Sequence, residues 1–288
     1  MSKLSLHTLF EPWLQFRHPI VRQLAFAIAS PNILAQIPHD LTIHHAFELH
    51  DHQTWQNLYH LYAPRLQELD QHPQPLLDFL ARLKSTRLGL RFEHLLWFWL
   101  QDDAYHPYQL LGHSIQKIAG AKTLGELDFI IFNRDTQQIE HWEVALKYYL
   151  GEAQLKLSQW FGLNREDTLQ RKLQHFTNHQ FQFTEAQQYT IQRKFAVMKG
   201  QLYLPSTFTH HKLPYWINTK RRLGQWGNVI PQHDYYRLQR HEWICPNQQK
   251  TSDSAMWWTN GLYYNSAIEA QFYMFRQPAL VLSDMKVR

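Results

Sequence analysis

Cysteine is nearly absent: Cys245 is the sole one in 288 residues. A lone thiol forbids an internal disulfide and fits a reducing compartment. Long apolar runs are missing as well. None approaches the roughly 18 residues that a membrane-spanning helix requires, and the start of the chain lacks a signal-peptide pattern. No membrane partner and a cytoplasmic location are therefore expected. There is no glycine-rich phosphate loop, which argues against a nucleotide-driven enzyme and a nucleotide cofactor. Charged residues are only 18% of the chain against 44% hydrophobic, a globular rather than a disordered balance. Internal repeats, low-complexity tracts and clear linkers are lacking too.

What is plentiful is aromatic and imidazole chemistry. Aromatics reach 15% with 11 Trp, enough for a large packed core with some rings left at the surface. The 19 histidines invite a metal reading, with His44-His45 and His210-His211 adjacent and His50 and His52 two apart. Neighbours in a helix point different ways, and no third ligand recurs at zinc-site spacing, so solvated histidines are expected. Lys+Arg exceed Asp+Glu by 29 to 24, a small surplus that favours a polyanionic partner.

The most informative stretch is Gly125–Gly151, GELDFIIFNRDTQQIEHWEVALKYYLG. Two apolar runs flank a polar turn, the pattern of a β-hairpin. Carboxylates interrupt both strands. Asp128 sits between Leu127 and Phe129, and Glu143 precedes Val144-Ala145-Leu146. Strand alternation puts Glu143, Ala145 and Lys147 on one face. An unpaired buried charge costs several kcal/mol, on the order of magnitude for such groups. These acids therefore face water, pair with a base, or hold a metal. An exposed Glu143–Lys147 ladder is the simpler alternative.

Upstream, Phe92, Leu95, Leu96 and Trp99 recur at helical spacing in RFEHLLWFWL, with Glu93 beside that stripe. Together with LGELDFIIFNRDT, EHWEVALKYYLG and FGLNREDTLQRKLQH, and with Arg17-His18-Pro19 near the start, these segments resemble a bacterial family of unknown function, DUF1853. That family resembles an outlying branch of the PD-(D/E)XK nucleases. The resemblance implies an α/β fold, a restriction-endonuclease-like mixed sheet flanked by helices behind a helical N-terminal region. It implies three parts: residues 1–83 helical, 84–205 the nuclease-like core, and 206–288 an extension packing on that core. It further implies Glu93, Asp128 and Glu143 as ligands of Mg²⁺ or Mn²⁺, with Lys147 as catalytic partner and DNA as substrate. The superfamily places its lysine two residues after the second acid. Here that position is Ala145, and Lys147 lies about 7 Å along the same face at the usual strand rise. The alternative is a catalytically inactive nucleic-acid-binding or scaffold protein on the same fold.

Along the rest of the chain, helices are expected from Phe16 to Ser30-Pro31, over Asp51–Tyr62 and over Leu77–Leu83, the last two separated by Pro64, Pro73 and Pro75. Tyr108–Ile118 reads as a strand, and so does Lys194–Leu204 with a break at Gly200. Asn164 is the expected N-cap of a helix over Arg165–Gln174, whose polar face carries Arg165, Arg171 and Lys172. A basic helix after the last acidic strand suits phosphate contact, and a solvated amphipathic face is the alternative. In HHKLPYWINTKRRLGQWGN, Lys212, Lys220, Arg221 and Arg222 interleave with Tyr215, Trp216 and Trp226, as single-stranded nucleic acid would require. The competing reading makes these tryptophans core plugs. Short strands around Tyr235–Trp243, Trp257-Trp258 and Leu280–Leu282 are expected to close the sheet.

Overall fold

The computed structural model describes residues 9–120, 122–208, 212–232, 234–247, 249–252, 257–268 and 271–276. His210, His211 and Leu280–Leu282 lie outside the described residues. The fold starts with α1 (Pro19–Ala29), opened by Pro19 and closed by Ser30 before Pro31. The Asp70 carboxylate fixes its entry by accepting from the backbone N–H groups of Arg17 and His18 at 3.0 and 2.7 Å. From Ile20 to Ala29 every residue is buried, so α1 is a central rather than a covering helix.

A single α2 (His52–Gln71) replaces the shorter helix expected to stop before Pro64. An interior proline costs about 3 kcal/mol through its lost donor and ring clash. Burial of Trp55, Leu58, Tyr59, Tyr62, Leu66 and Leu69 on both sides of it outweighs that cost. α3 (Gln74–Ala81) and α4 (Leu88–Gln101) complete this layer.

β1 (Tyr108–Ala119), β2 (Lys122–Asn133) and β3 (Gln138–Gly151) form an antiparallel meander. β4 (Trp160–Phe161) pairs with the end of β3. Next comes α5 (Leu169–Asn178), capped by the Thr168 hydroxyl, which accepts from Arg171 N at 3.1 Å. The helix thus begins four residues later than Asn164 suggested. Asn164 instead accepts from Glu166 N in the preceding turn, at 3.1 Å. β5 (Glu185–Ala186) and β6 (Tyr189–Thr190) form a small separate hairpin.

β7 (Arg193–Pro205) returns parallel to β3, with Glu143 opposite Ala196 and Lys147 opposite Gly200. The expected break at Gly200 is a kink inside a continuous strand. Its φ is +122°, and a β-carbon there would lie 1.9 Å from the Lys147 carbonyl oxygen. β8 (Gly224–Gly227), β9 (Tyr236–Arg237), β10 (Gly261–Tyr264) and β11 (Phe272–Phe275) carry the same sheet onward. The order is β1-β2-β3-β7-β8-β11-β10-β9, with β4 beside β3. The fold is therefore α/β, a large mixed sheet flanked by helices and preceded by helices.

Alternation along β3 divides the core. Trp142, Leu146 and Leu150 join the cluster containing α1, α2 and α4. Ala145 and Tyr149 join Leu169, Leu173 and Phe176 of α5. Glu143 shares parity with that second face, so α5 covers the side of β3 that carries the acid. Several histidines are core aromatics rather than solvated groups. His50 stacks on Phe195 at 4.0 Å, and burial pushes its pKa down to about 3.

Gly200→Ala is expected to lower unfolding free energy by about 3 kcal/mol, through strain at a positive φ and collision with a backbone carbonyl. Urea denaturation checks this. Equal stability of the two proteins would mean that β7 is not kinked at this residue.

Candidate functional site

The β2–β3 ladder runs from Asn133↔Gln138 to Phe129↔Trp142 and stops there. The next residues on the two strands are Asp128 and Glu143. Their side chains take over from the backbone: Asp128 Oδ2 accepts from Val144 N at 2.8 Å, and Glu143 Oε1 lies 3.5 Å from Asp128 N. Past this point β2 stays with β1 and β3 stays with β7. The strands diverge, and two carboxylates occupy the notch.

Glu143 is only 1% exposed. Its Oε1 is 2.7 Å from His141 Nε2, and its Oε2 accepts from the Gln180 side-chain amide. Burial pushes the Glu143 carboxyl from its ordinary 4.5 up to about 7. Asp128 is raised well above the usual carboxylate range, first by burial and then by the Glu143 charge, with Glu93 adding to it. Two acids at close quarters retain a proton because both cannot ionise cheaply. His141 is driven the other way, down to about 3, again chiefly by burial. A neutral imidazole donating through Nε2 to the Glu143 carboxylate leaves Nδ1 as acceptor, and that atom is buried without a partner.

The cation beside this pair is Lys172 of α5, whose ammonium also lies 4.0 Å from the Phe176 ring centroid. Burial lowers its pKa, while Glu143, Asp128 and Asp167 pull it back up. Lys147 makes a different contact. Its Nζ binds Asp167 Oδ2 at 2.7 Å, and Tyr149 OH donates to Asp167 Oδ1 at 3.2 Å. Glu93 is bound by His113 Nε2 at 2.8 Å, the imidazole being stacked on Trp97 at 4.1 Å. Glu93 thus approaches from the α4 face without joining the notch pair. Among the described residues, no group of three or more His, Cys, Asp and Glu is arranged to hold a metal. The two notch carboxylates are hard oxygen donors of the kind Mg²⁺ takes, and both oxygens of Glu143 already have protein partners.

Outside the notch, a groove of about 610 Å³ runs along α5 and is lined by Asp167, Arg171, Lys172, His175, Asn178 and His179. Lys172 therefore faces both the groove and the acids. Arg171 is exposed here, whereas Arg165 is bound to Glu152 at 3.1 Å and lies over the Phe161 ring.

The basic aromatic loop is mostly structural. Trp216 is 4% exposed and packs edge-on against Trp160, so it is a core plug rather than a stacking platform. Arg221 is buried, donating to the Gly200 carbonyl at 2.9 Å and reaching Glu11. Arg222 also binds Glu11, at 2.7 Å. Lys212 and Lys220 stay exposed there.

A family model described as "Domain of unknown function (DUF1853)" matches residues 22–283. The chain belongs to the DUF1853 family. No curated protein and no solved structure matches it. For this DUF1853 chain, sequence reasoning named Asp128, Glu143 and Lys172 but missed His141, Gln180 and Asp167. Lys172 was assigned to nucleic-acid contact rather than to the acids. Its position gives it away: 169, 172, 173 and 176 share one helix face, so the lysine lies within the apolar stripe that packs on β3.

Glu143→Gln tests the electrostatics. An acid whose folded pKa is raised contributes stability fully present below its unfolded value and lost as pH rises through its folded value. With 4.5 raised to about 7, the wild type should lose stability relative to the variant between those pH values. The difference should grow to roughly 3 kcal/mol by about pH 8, from 1.36 kcal/mol per unit. Thermal melts across pH check it. A difference that stays flat would mean Glu143 ionises normally in the fold.

Proposed function

We propose that this DUF1853 chain is a metal-dependent phosphodiesterase of the PD-(D/E)XK type acting on DNA. The observation that carries the reading is the notch: two carboxylates where β2 and β3 part, with the Lys172 ammonium beside them. The order helix, three antiparallel strands, helix, parallel strand, formed by α4, β1, β2, β3, α5 and β7, supports it. That support is an analogy of fold.

Asp128 and Glu143 are the residues to hold Mg²⁺ or Mn²⁺. When bound, such an ion lowers the pKa of a coordinated water and neutralises charge on the scissile phosphate. Their raised pKa values fit this role, because a nearby cation relieves the repulsion that otherwise retains a proton. Lys172 places its ammonium where negative charge builds on the phosphorus oxygens. The groove residues Arg171, His175 and His179 offer donors to flanking phosphates, which orients a backbone without reading its sequence. Lys147, tied to Asp167, serves as an anchor of the loop before α5 rather than as the reacting amine.

A non-catalytic nucleic-acid-binding protein is the second reading. Gln180 on Glu143 and His113 on Glu93 favour it, since both acids already have protein partners.

Cleavage of labelled single-stranded, double-stranded and branched DNA with Mn²⁺ or Mg²⁺ decides between them. Asp128→Asn and Lys172→Met should each lose about 100-fold or more, the usual scale for removing an electrostatic stabiliser. Lys147→Met should lose far less. Wild-type protein that binds DNA without cutting it would establish the second reading. Absence of both binding and cutting would sink the two together.

A further inference from the structure

A second cationic cavity lies away from the notch, where the loop between α3 and α4 meets the turn 240–243. It has a volume of about 640 Å³, and its polar lining is Ser85, Thr86, Arg87, Arg91, Arg240 and His241, with no carboxylate. Three guanidiniums facing one space repel each other unless an anion joins them.

The cluster is built from neutral groups. Gln23 of α1 is 1% exposed and joins both walls: its Oε1 accepts from Arg91 Nε at 2.7 Å, and its Nε2 donates to the His241 carbonyl at 3.1 Å. Arg240 lies over the Trp243 ring at 4.0 Å. Ser85 Oγ accepts from Arg87 N at 3.2 Å, so its hydroxyl proton is left to donate. Six arginines elsewhere, Arg65, Arg134, Arg165, Arg193, Arg221 and Arg222, each pair with a carboxylate. Among the described residues no carboxylate pairs with Arg87, Arg91 or Arg240. Burial lowers the pKa of Arg91, and no acid offsets it. A partly buried charge without a counter-charge is unusual in a finished core.

We infer that this cavity binds a phosphate monoester, the phosphate lying among Arg87, Arg91 and Arg240. Guanidinium forks match phosphate oxygens in pairs, and a dianion answers three positive charges better than a single carboxylate. The volume exceeds that of a bare phosphate and admits the sugar and base of a nucleotide. The ligand is a mononucleotide or the phosphorylated end of a nucleic acid. The inference stands independently of the notch chemistry.

The test is binding at constant ionic strength in EDTA, where turnover at the notch is suppressed. Its ligands are adenosine 5′-monophosphate, and a decanucleotide with a 5′-phosphate compared with its 5′-hydroxyl twin. The phosphate-bearing ligands should bind, and Arg87→Ala and Arg240→Ala should each weaken them by about tenfold, on the scale of one charge-assisted contact. Arg87 and Arg240 are exposed, so both variants should fold, with unchanged circular dichroism. Arg91→Lys should weaken binding too, because it keeps charge but loses the fork. A 5′-phosphate preference of about tenfold or more between the twins would assign the cavity to nucleic-acid ends. Binding of the monophosphate with no difference between the twins would assign it to free nucleotides. The inference is overturned if neither phosphate ligand binds, or if a variant combining Arg87→Ala with Arg240→Ala binds them as the wild type does.

Discussion

Everything distinctive about this sheet follows from one exchange: at Asp128 and Glu143 two strands give up backbone pairing and are joined by carboxylate side chains. Peptide N–H groups cannot be left unpaired in a core. Val144 N is therefore satisfied by Asp128 Oδ2, and the strands are free to part. The same exchange draws two acids into a poorly solvated notch. Their ionisation is then disfavoured, burial pushing the Glu143 carboxyl up to about 7. A proton-retaining pair of this kind weakens the fold near neutral pH, a burden that proteins tolerate where it serves a site.

The neighbouring contacts read as supports of that notch. His141 and Gln180 hold the two oxygens of Glu143. Asp167 collects Lys147 and Tyr149 from β3, which fixes the turn into α5 and so the position of Lys172. Gly200 lets β7 approach the Lys147 carbonyl more closely than any side chain would allow. Lys147 thus ties β3 to Asp167, and Lys172 brings a positive charge beside the two acids.

Much of this was legible in the sequence. The hairpin and the Glu93 helix follow from period-2 and period-3.6 patterns that local residues set, while the mixed α/β architecture comes from the family resemblance. The failures come from long-range contacts. Pro64 signals a helix end, but burial of Trp55, Tyr62 and Leu66 across it overrides the local rule. Asn164 and Thr168 are both good caps, and the apolar stripe from Leu169 decides for the second. Trp216, Arg221 and Arg222 have the composition of a nucleic-acid loop. Their partners Trp160, Gly200 and Glu11 are distant in sequence, so only the fold reveals them as packing and ion-pair residues. His113 takes Glu93 for the same reason: β1 brings it beside α4.

The net charge of +5 understates how sharply the positive surface is divided. Six arginines are held by acids distant in sequence or across a loop, and these add structure rather than attraction. Cations without an acid partner line two of the cavities. One is the α5 groove, where Lys172 links solvent to the acids. The other is the cavity at the start of α4, where an amide and an indole hold the guanidiniums in place of carboxylates. Holding a cation with neutral partners leaves its charge available to a ligand, whereas holding it with an acid cancels that charge. By that criterion the cations of the groove and of the cavity keep their charge exposed to a ligand, and α4 runs between the two regions. Arg87 caps its start, its first turn supplies Arg91, and two residues further on it supplies Glu93, whose charge is felt by Asp128.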